Sequence, residues 1–241
     1  MLKGHKPVML KLITWSTQNA RKISIMLAAC QLDYEISWLN IEQNEQHQKG
    51  FKALNPNGKI PVLMDSELVN ENGQVEPIFE SAAILLYLAE KSGRFLESDP
   101  IQRIATLKWL FWQAANLGPV LGNFSHFAAA TVKDTEHLNT YLVKTRAPKV
   151  DEYAIQRFTK ESFRLLEVLN QQLENKAFIV GNLSIADFAC YPWLESAWLG
   201  LQSINPNINS HYKNLGDWMT RMKTVEGVEE GMKTLAWGRK G

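Results

Sequence analysis

The run Asn55-Pro56-Asn57-Gly58-Lys59-Ile60-Pro61-Val62-Leu63-Met64 most limits what this chain can fold into, together with Glu80-Ser81 ahead of Ala82 to Leu88. The first four residues are turn chemistry: Pro56 fixes φ, and Asn57 and Gly58 tolerate φ above zero. Ile60 to Met64 is a short apolar run with β-branched members, bounded by turn residues, and predicts a buried strand. Pro61 stands at its start, where a missing N–H does least harm. A cis bond before Pro61 would turn the Ile60 N–H and C=O outward, where an extended peptide can pair with them. Glu80-Ser81 opens a strong helix-forming run, with Ser81 as its candidate cap. The free N–H groups of that helix end attract a carboxylate. Two such features close together fit a site for a small acidic peptide. An ordinary turn, strand and capped helix would read the same.

The remaining length and composition set bounds. A chain of 241 residues holds one large domain or two modest ones. Its formal net charge of +1 gives no argument for nucleic acid or an anionic membrane surface. No apolar run is long enough to span a bilayer, and residues 1–9 lack a secretory pattern, so a cytoplasmic protein is expected. The two cysteines, Cys30 and Cys190, lie far apart in apolar company and fit buried thiols in a reducing compartment. No metal-ligand spacing occurs among them and the histidines.

Read in order, Val8 to Ile13 predicts a strand, Thr14 to Asn19 a turn, Ala20 to Cys30 a helix and Tyr34 to Ile41 a second strand. That order implies a parallel pair with a crossover helix. The Ile60 to Met64 strand, a polar loop through Asn72-Gly73, a strand at Pro77 to Phe79 and the Ser81 helix follow. After residue 99 the pattern is helical. Ile101 to Asn116 is interrupted by Leu117-Gly118-Pro119. Tyr153 to Asn175 carries Phe158, Leu165, Leu169 and Leu173 at helical spacing. Ser184 and Asp187 form a capping box, Pro192 should kink the helix it lies in, and Leu215 to Met222 predicts one more helix.

Asn-Pro-x-Gly-Lys-Ile-Pro followed by Glu-Ser-x-x-Ile-x-x-Tyr-Leu resembles the glutathione-binding half of the glutathione S-transferase superfamily. The likeness extends over nearly the whole chain. It implies a fold of the α/β plus all-α kind: a thioredoxin-like domain over residues 1–92, a linker over 93–99 and an all-helical domain over 100–241. Trp109 to Pro119 with Tyr153 to Arg157 is similar to a narrower group, the bacterial nu class of disulfide-bond reductases. Residues 127–149 look longer than that pattern, as a lid, a dimer contact or an inert loop would.

The resemblance also implies a chemistry. Thioredoxin relatives keep a redox Cys-x-x-Cys in the turn after the first strand. This chain has Ser16-Thr17-Gln18-Asn19 there, so the sulfur must arrive with the ligand. A free thiol titrates near ~8.5 and only the thiolate attacks. Lowering that by ~2 units needs ~2.7 kcal/mol of thiolate stabilisation. A hydroxyl donor, backbone N–H groups and a helix start together supply it. The nu-class pattern Thr-x-Asn-Gly-x-Lys reads here Thr17-Gln-Asn19-Ala20-Arg-Lys22, with Ala20 in place of Gly. Thr17 and Asn19 are the first choices beside the sulfur, and Ser16 the second. Gln46, Lys59, Ile60, Pro61, Glu80 and Ser81 would hold glutathione as co-substrate, and Arg157 would reach a carboxylate from the helical half. Trp109, Trp112, Phe124 and Phe127 would line a cleft for the second substrate or pack the core. His126 has no visible partner for acid catalysis. The expected activity is glutathione-dependent disulfide reduction, with conjugation of an electrophile or peroxidase chemistry as side activities, in a homodimer. The alternative is a non-catalytic glutathione-binding or regulatory module.

Overall fold

The computed structural model describes residues 9–132 and 146–235. The chain divides into two compact units, Met1–Ser92 with Val225–Gly241, and Gly93–Thr224.

In the first unit, strands β1 (Leu10–Thr14), β2 (Tyr34–Trp38), β3 (Val62–Asp65) and β4 (Ile78–Phe79) form one sheet in the order β2-β1-β3-β4. β1 runs parallel to β2 and antiparallel to β3, and β3 antiparallel to β4. The register pairs Ile13 with Val62, so both face one side. There Phe51 and Leu54 of helix α2 (Lys49–Leu54) close a small core over them. Leu12 pairs with Leu63 on the opposite face. Helices α1 (Gln18–Ala29) and α3 (Ser81–Ser92) pack on one another beside the sheet. The thioredoxin-like reading of residues 10–92 holds in both element order and topology.

Helix α1 begins where Thr17, in extended backbone, accepts a hydrogen bond from the Ala20 N–H at 3.3 Å. It ends where Gln31 takes a left-handed φ of 55°, with Leu32 N–H bonded to Leu27 O and Gln31 N–H to Ala28 O. The helix is buried almost all round because a third helix covers it. This is α10 (Val228–Thr234), in the segment expected to extend the helical domain. Two glycines let it approach. A Cβ on Gly231 would lie 2.4 Å from the Ile25 backbone, and one on Gly227 2.3 Å from the Ala29 N. The Ser24 hydroxyl then donates to Gly231 O at 2.6 Å. The expected boundary at 100–241 is therefore corrected: residues 225–235 pack with the thioredoxin-like unit.

The second unit is helical: α4 (Pro100–Trp112), α5 (Gly118–Ala128), α6 (Glu152–Gln172), α7 (Ile185–Ile204), the short α8 (Ile208–His211) and α9 (Lys213–Thr224). Residues 93–99, expected as a linker, make contacts within it. Phe95 packs edge-on against Phe188 at 4.9 Å, and its carbonyl accepts from Ile185 N–H. Asp99 caps α4 and Asp151 caps α6. The expected break at Leu117-Gly118-Pro119 is instead a π-helical turn over Gln113–Leu117 that carries α4 into α5. Gln113 packs closely on this turn: a Cβ on Gly118 would lie 2.8 Å from the tip of its side chain and 3.3 Å from its carbonyl. Helix α7 runs through Pro192 without a break in its span. At its start the buried Asp187 carboxylate accepts from Ser184 N–H and Oγ, Ile179 N–H and Trp218 Nε1, all at 2.9 to 3.0 Å. The capping box read from Ser184 and Asp187 is thus a folding element that ties α7 to α9. Residues 133–145 of the expected insertion and 236–241 of the tail lie outside the described residues.

Candidate functional site

The sheet register brings three separate sequence segments to one end. Ile13, Val62 and Phe79 lie side by side across β1, β3 and β4. The residues just beyond that row are Thr14 at the end of β1 and Trp15 to Thr17 after it, Ile60 and Pro61 before β3, and Glu80 and Ser81 after β4. The Ile60–Pro61 bond is cis, and the β3 ladder begins at Val62, leaving Ile60 outside it. Gln46 and Lys59 belong to the same edge. A Cβ on Gly58, whose φ is +64°, would lie 3.2 Å from the Gln46 carbonyl. Asn55 fixes this turn: its side chain donates to Lys59 O at 2.6 Å and accepts from Asn57 N–H.

The three polar residues after β1 differ in availability. Thr17 Oγ1 takes its hydrogen bond from Ala20, which occupies an acceptor lone pair and leaves the hydroxyl proton free to donate. Asn19, half-buried, lies in the first turn of α1, at the positive end of the helix. Ser16 Oγ is buried and has no hydrogen-bond partner. Ser16 and Thr17 are both half-buried, and it is the Ser16 oxygen itself that is shut from solvent. Cys30 is the C-terminal cap of α1, the length of the helix away, about 20 Å from Thr17 at 1.5 Å per residue. Cys190 is buried in α7.

Glu80 and Ser81 sit at the entrance to α3. Glu80 holds a left-handed φ of 68°, uncommon for a residue with a side chain, and turns the chain from β4 directly into the helix. Ser81 is the first helical residue rather than the cap expected of it. Its hydroxyl, buried, accepts a hydrogen bond from Lys22 Nζ at 3.2 Å. Lys22 itself is 1% exposed. Sequence reading placed Lys22 only as the last letter of a motif. The available signal was its position, inside the apolar run of α1 and directly before Ile23.

Arg157 belongs to the helical unit. It is exposed on α6 and lines an open cleft of about 740 Å³ with Tyr153, Gln156, Lys160 and Arg164 over Val120 and Phe158. Arg164 is held by a two-pronged bond to Glu161, at 2.8 and 2.6 Å. The four aromatics separate. Phe124 is buried, with Gly200 against its ring, and is a core residue. Trp109 and Trp112 are half-buried and meet edge-on at 4.9 Å. Phe127 stacks on Phe158 at 5.6 Å, and His126 meets Phe127 edge-on.

Residues 18–91 match the family model of the glutathione S-transferase N-terminal domain, and residues 132–226 that of the C-terminal domain. The disulfide-bond oxidoreductase YfcG of Escherichia coli strain K12 is 42% identical over 183 residues, 76% of this chain and 77% of that protein. A glutathione transferase of Pseudomonas putida, crystallised with one glutathione disulfide bound per subunit, superposes with a TM-score of 0.79 at 31% identity, covering 96% of this chain and 94% of that one. A glutathione transferase of Burkholderia graminis with two glutathione molecules per subunit gives 0.80 at 30%, covering 98% and 92%. Two family domains in order and a relative matched over most of its length settle the classification: the chain belongs to the glutathione S-transferase family.

Proposed function

We propose that this protein is a glutathione-dependent thiol–disulfide oxidoreductase of the nu-class kind. The observation that carries the reading is the start of α1. A hydroxyl with a free proton stands at a helix N-terminus, beside the edge formed by Ile60 and Pro61, with Cys30 at the far end of that helix and Cys190 buried in α7. A thiol brought by a tripeptide fills that gap. Ile60, outside the ladder, offers backbone pairing to its cysteinyl residue. Gln46 and Lys59 lie toward its glycyl end, and Glu80 and Ser81 toward its γ-glutamyl end. The glutathione bound by the Pseudomonas putida and Burkholderia graminis transferases supports the same ligand here.

In the reaction, Thr17 donates its proton as a hydrogen bond to the glutathione sulfur and favours the thiolate. The thiolate attacks one sulfur of a disulfide RSSR, forming a mixed disulfide and releasing RS⁻, which takes up a proton. A second glutathione thiolate attacks the glutathione sulfur of that mixed disulfide, giving glutathione disulfide and a second RS⁻. Conjugation to an electrophile would use the same thiolate.

Purified protein, assayed side by side with glutathione plus bis(2-hydroxyethyl) disulfide and glutathione plus an aromatic halide, separates the two. Faster disulfide reduction is expected. Robust conjugation without disulfide reduction overturns the oxidoreductase assignment, and binding without either activity favours a non-catalytic module. A homodimer belongs to the same reading. Its support is a row of large apolar side chains left in water on α4, Ile101, Ile104 and Phe111. Sedimentation velocity checks the pairing, and a monomer throughout the micromolar range refutes it.

A further inference from the structure

We propose that Asn55 is a positioning residue for the peptide edge at Ile60: its side-chain amide, held between Asn57 N–H and Lys59 O, aims the Ile60 N–H at a carbonyl of the bound tripeptide. The inference deepens the glutathione reading above, on which it rests, and assigns a residue that reading does not use. Its basis is two contacts of one buried side chain: Nδ2 donates to Lys59 O at 2.6 Å, and Oδ1 accepts from Asn57 N–H at 3.0 Å.

The backbone fixes the sense of both bonds. Asn57 N–H can only donate, and Lys59 O can only accept. A side chain that meets both must carry an acceptor and a donor on one planar group, as an amide does. An ionised carboxylate would set a second oxygen against Lys59 O. The main chain of Asn55 is committed to the same turn. Its N–H donates to Phe51 O at the end of α2, and its C=O accepts from Gly58 N–H, both at 2.9 Å. Asn55 is 2% exposed, so water does not compete for these bonds.

Lys59 O is one half of a peptide unit whose other half is the Ile60 N–H. The Ile60–Pro61 bond is the cis one among the described residues, so Lys59–Ile60 is trans. A trans peptide is planar, with its C=O and N–H on opposite sides. Drawing Lys59 O toward Asn55 therefore sends the Ile60 N–H the other way. No group among the described residues accepts that N–H. Ile60 lies outside the β3 ladder, and neither it nor Lys59 belongs to a helix or strand. No ladder bond holds the plane, and without Asn55 it can turn over by opposite changes in ψ of Lys59 and φ of Ile60. With Asn55 the donor is set before the ligand arrives, which spares the ligand that ordering. An extended peptide laid along Ile60 meets this donor with a main-chain carbonyl. In glutathione that is the cysteinyl carbonyl.

The test compares glutathione with an isostere in which a trans carbon–carbon double bond replaces the cysteinyl–glycine amide. The isostere lacks the carbonyl and the glycyl N–H and keeps both carboxylates. Calorimetry on the unaltered protein should show glutathione bound about fivefold or more tightly, the size expected of one hydrogen bond between neutral groups. If it binds neither compound, the glutathione reading itself fails. If it binds both equally, that reading stands and this inference falls. Asn55→Asp keeps the acceptor for Asn57 N–H and turns an oxygen on Lys59 O, which releases the peptide plane. There the preference should shrink to about twofold or less, with affinity for the isostere nearly unchanged. An undiminished preference overturns the proposal. So does a loss of affinity for both compounds alike, which would mean a purely structural asparagine. Hydrogen exchange followed by NMR on the unaltered protein covers a variant that fails to fold. The Asn55 side-chain amide should be protected with and without ligand. The Ile60 N–H should gain protection with glutathione and not with the isostere. No gain at Ile60 with glutathione overturns the proposal.

Discussion

At the scale of single residues, the proposed chemistry turns on which hydroxyl can donate. Thr17 gives its lone pair to Ala20 N–H and keeps its proton, whereas Ser16 Oγ is enclosed without a partner. Thr17→Val removes both the cap and the donor. Loss of the cap should lower stability by about 1 kcal/mol. Loss of the donor should raise the bound thiol by ~1 to 2 pH units and cut disulfide reduction at neutral pH by about 10- to 100-fold. Thr17→Ser should keep activity within a few-fold. The rise of rate with pH should move upward in Thr17→Val and stay in place in Thr17→Ser, which separates the donor from the cap. Thr17 was named in the sequence through its match to the nu-class Thr-x-Asn pattern, which lies within one short segment, and its capping bond to Ala20 N–H is equally local. Lys22 was not legible as a contact, because its partner Ser81 lies 59 residues away and meets it only through the packing of α1 on α3. By pattern alone, a lysine in a helix reads as solvated.

Among the elements, the strands, α1 and α3 could be read from turn residues and β-branched runs because each signal lies inside its own segment, whereas the stretch from Phe51, expected as loop, is the end of the short helix α2. The fate of α10 could not. Its seven residues have no strong apolar face, and what places the helix against α1 is the absence of side chains at Gly227 and Gly231. Glycines in a sequence read first as turns, not as contact surfaces. Gly118 also reads as a turn, yet the expected break there is a continuous π turn. Gly231→Ala would put a Cβ 2.4 Å from backbone atoms of Ile25, which cannot rotate away. The helices would have to separate and strain the Ser24 to Gly231 bond. A loss of about 3 kcal/mol is expected, with faster amide exchange across α10. The contrasting site is Gly216 inside α9, where an added Cβ meets nothing within 4 Å. Gly216→Ala should raise stability by up to about 1 kcal/mol. Equal effects of the two replacements in urea unfolding would refute the close-packing account of α10.

For the whole molecule, the two units carry buried aspartates displaced in opposite directions. In the thioredoxin-like unit, burial pushes Asp65 up, but hydrogen bonds from Lys91, Tyr87 and the Glu67 N–H, with the Lys91 charge, outweigh it and hold the carboxyl below its usual 3.8. Tyr87, buried against that carboxylate, is pushed up to about 12. In the helical unit, burial raises Asp187 to about 6 despite its four donors. A lowered folded value means the folded chain holds the charge more tightly. Asp65 therefore contributes fully above the unfolded value near 3.8 and loses that contribution as pH falls through its lower folded value. A raised value means the folded chain holds the proton more tightly. Asp187 contributes fully below 3.8 and loses that contribution as pH rises through about 6, on the order of 3 kcal/mol for a shift of this size. The stability profile should thus have two arms of separate origin. Asp187→Asn should lower overall stability, because an amide cannot accept from all four donors, yet flatten the profile between pH 4 and 6. Asp65→Asn should leave that region alone and flatten the fall below pH 4. Urea unfolding at half-unit pH intervals reads both. An unchanged slope between pH 4 and 6 in Asp187→Asn would mean that the four donors, not burial, decide the charge of that carboxyl.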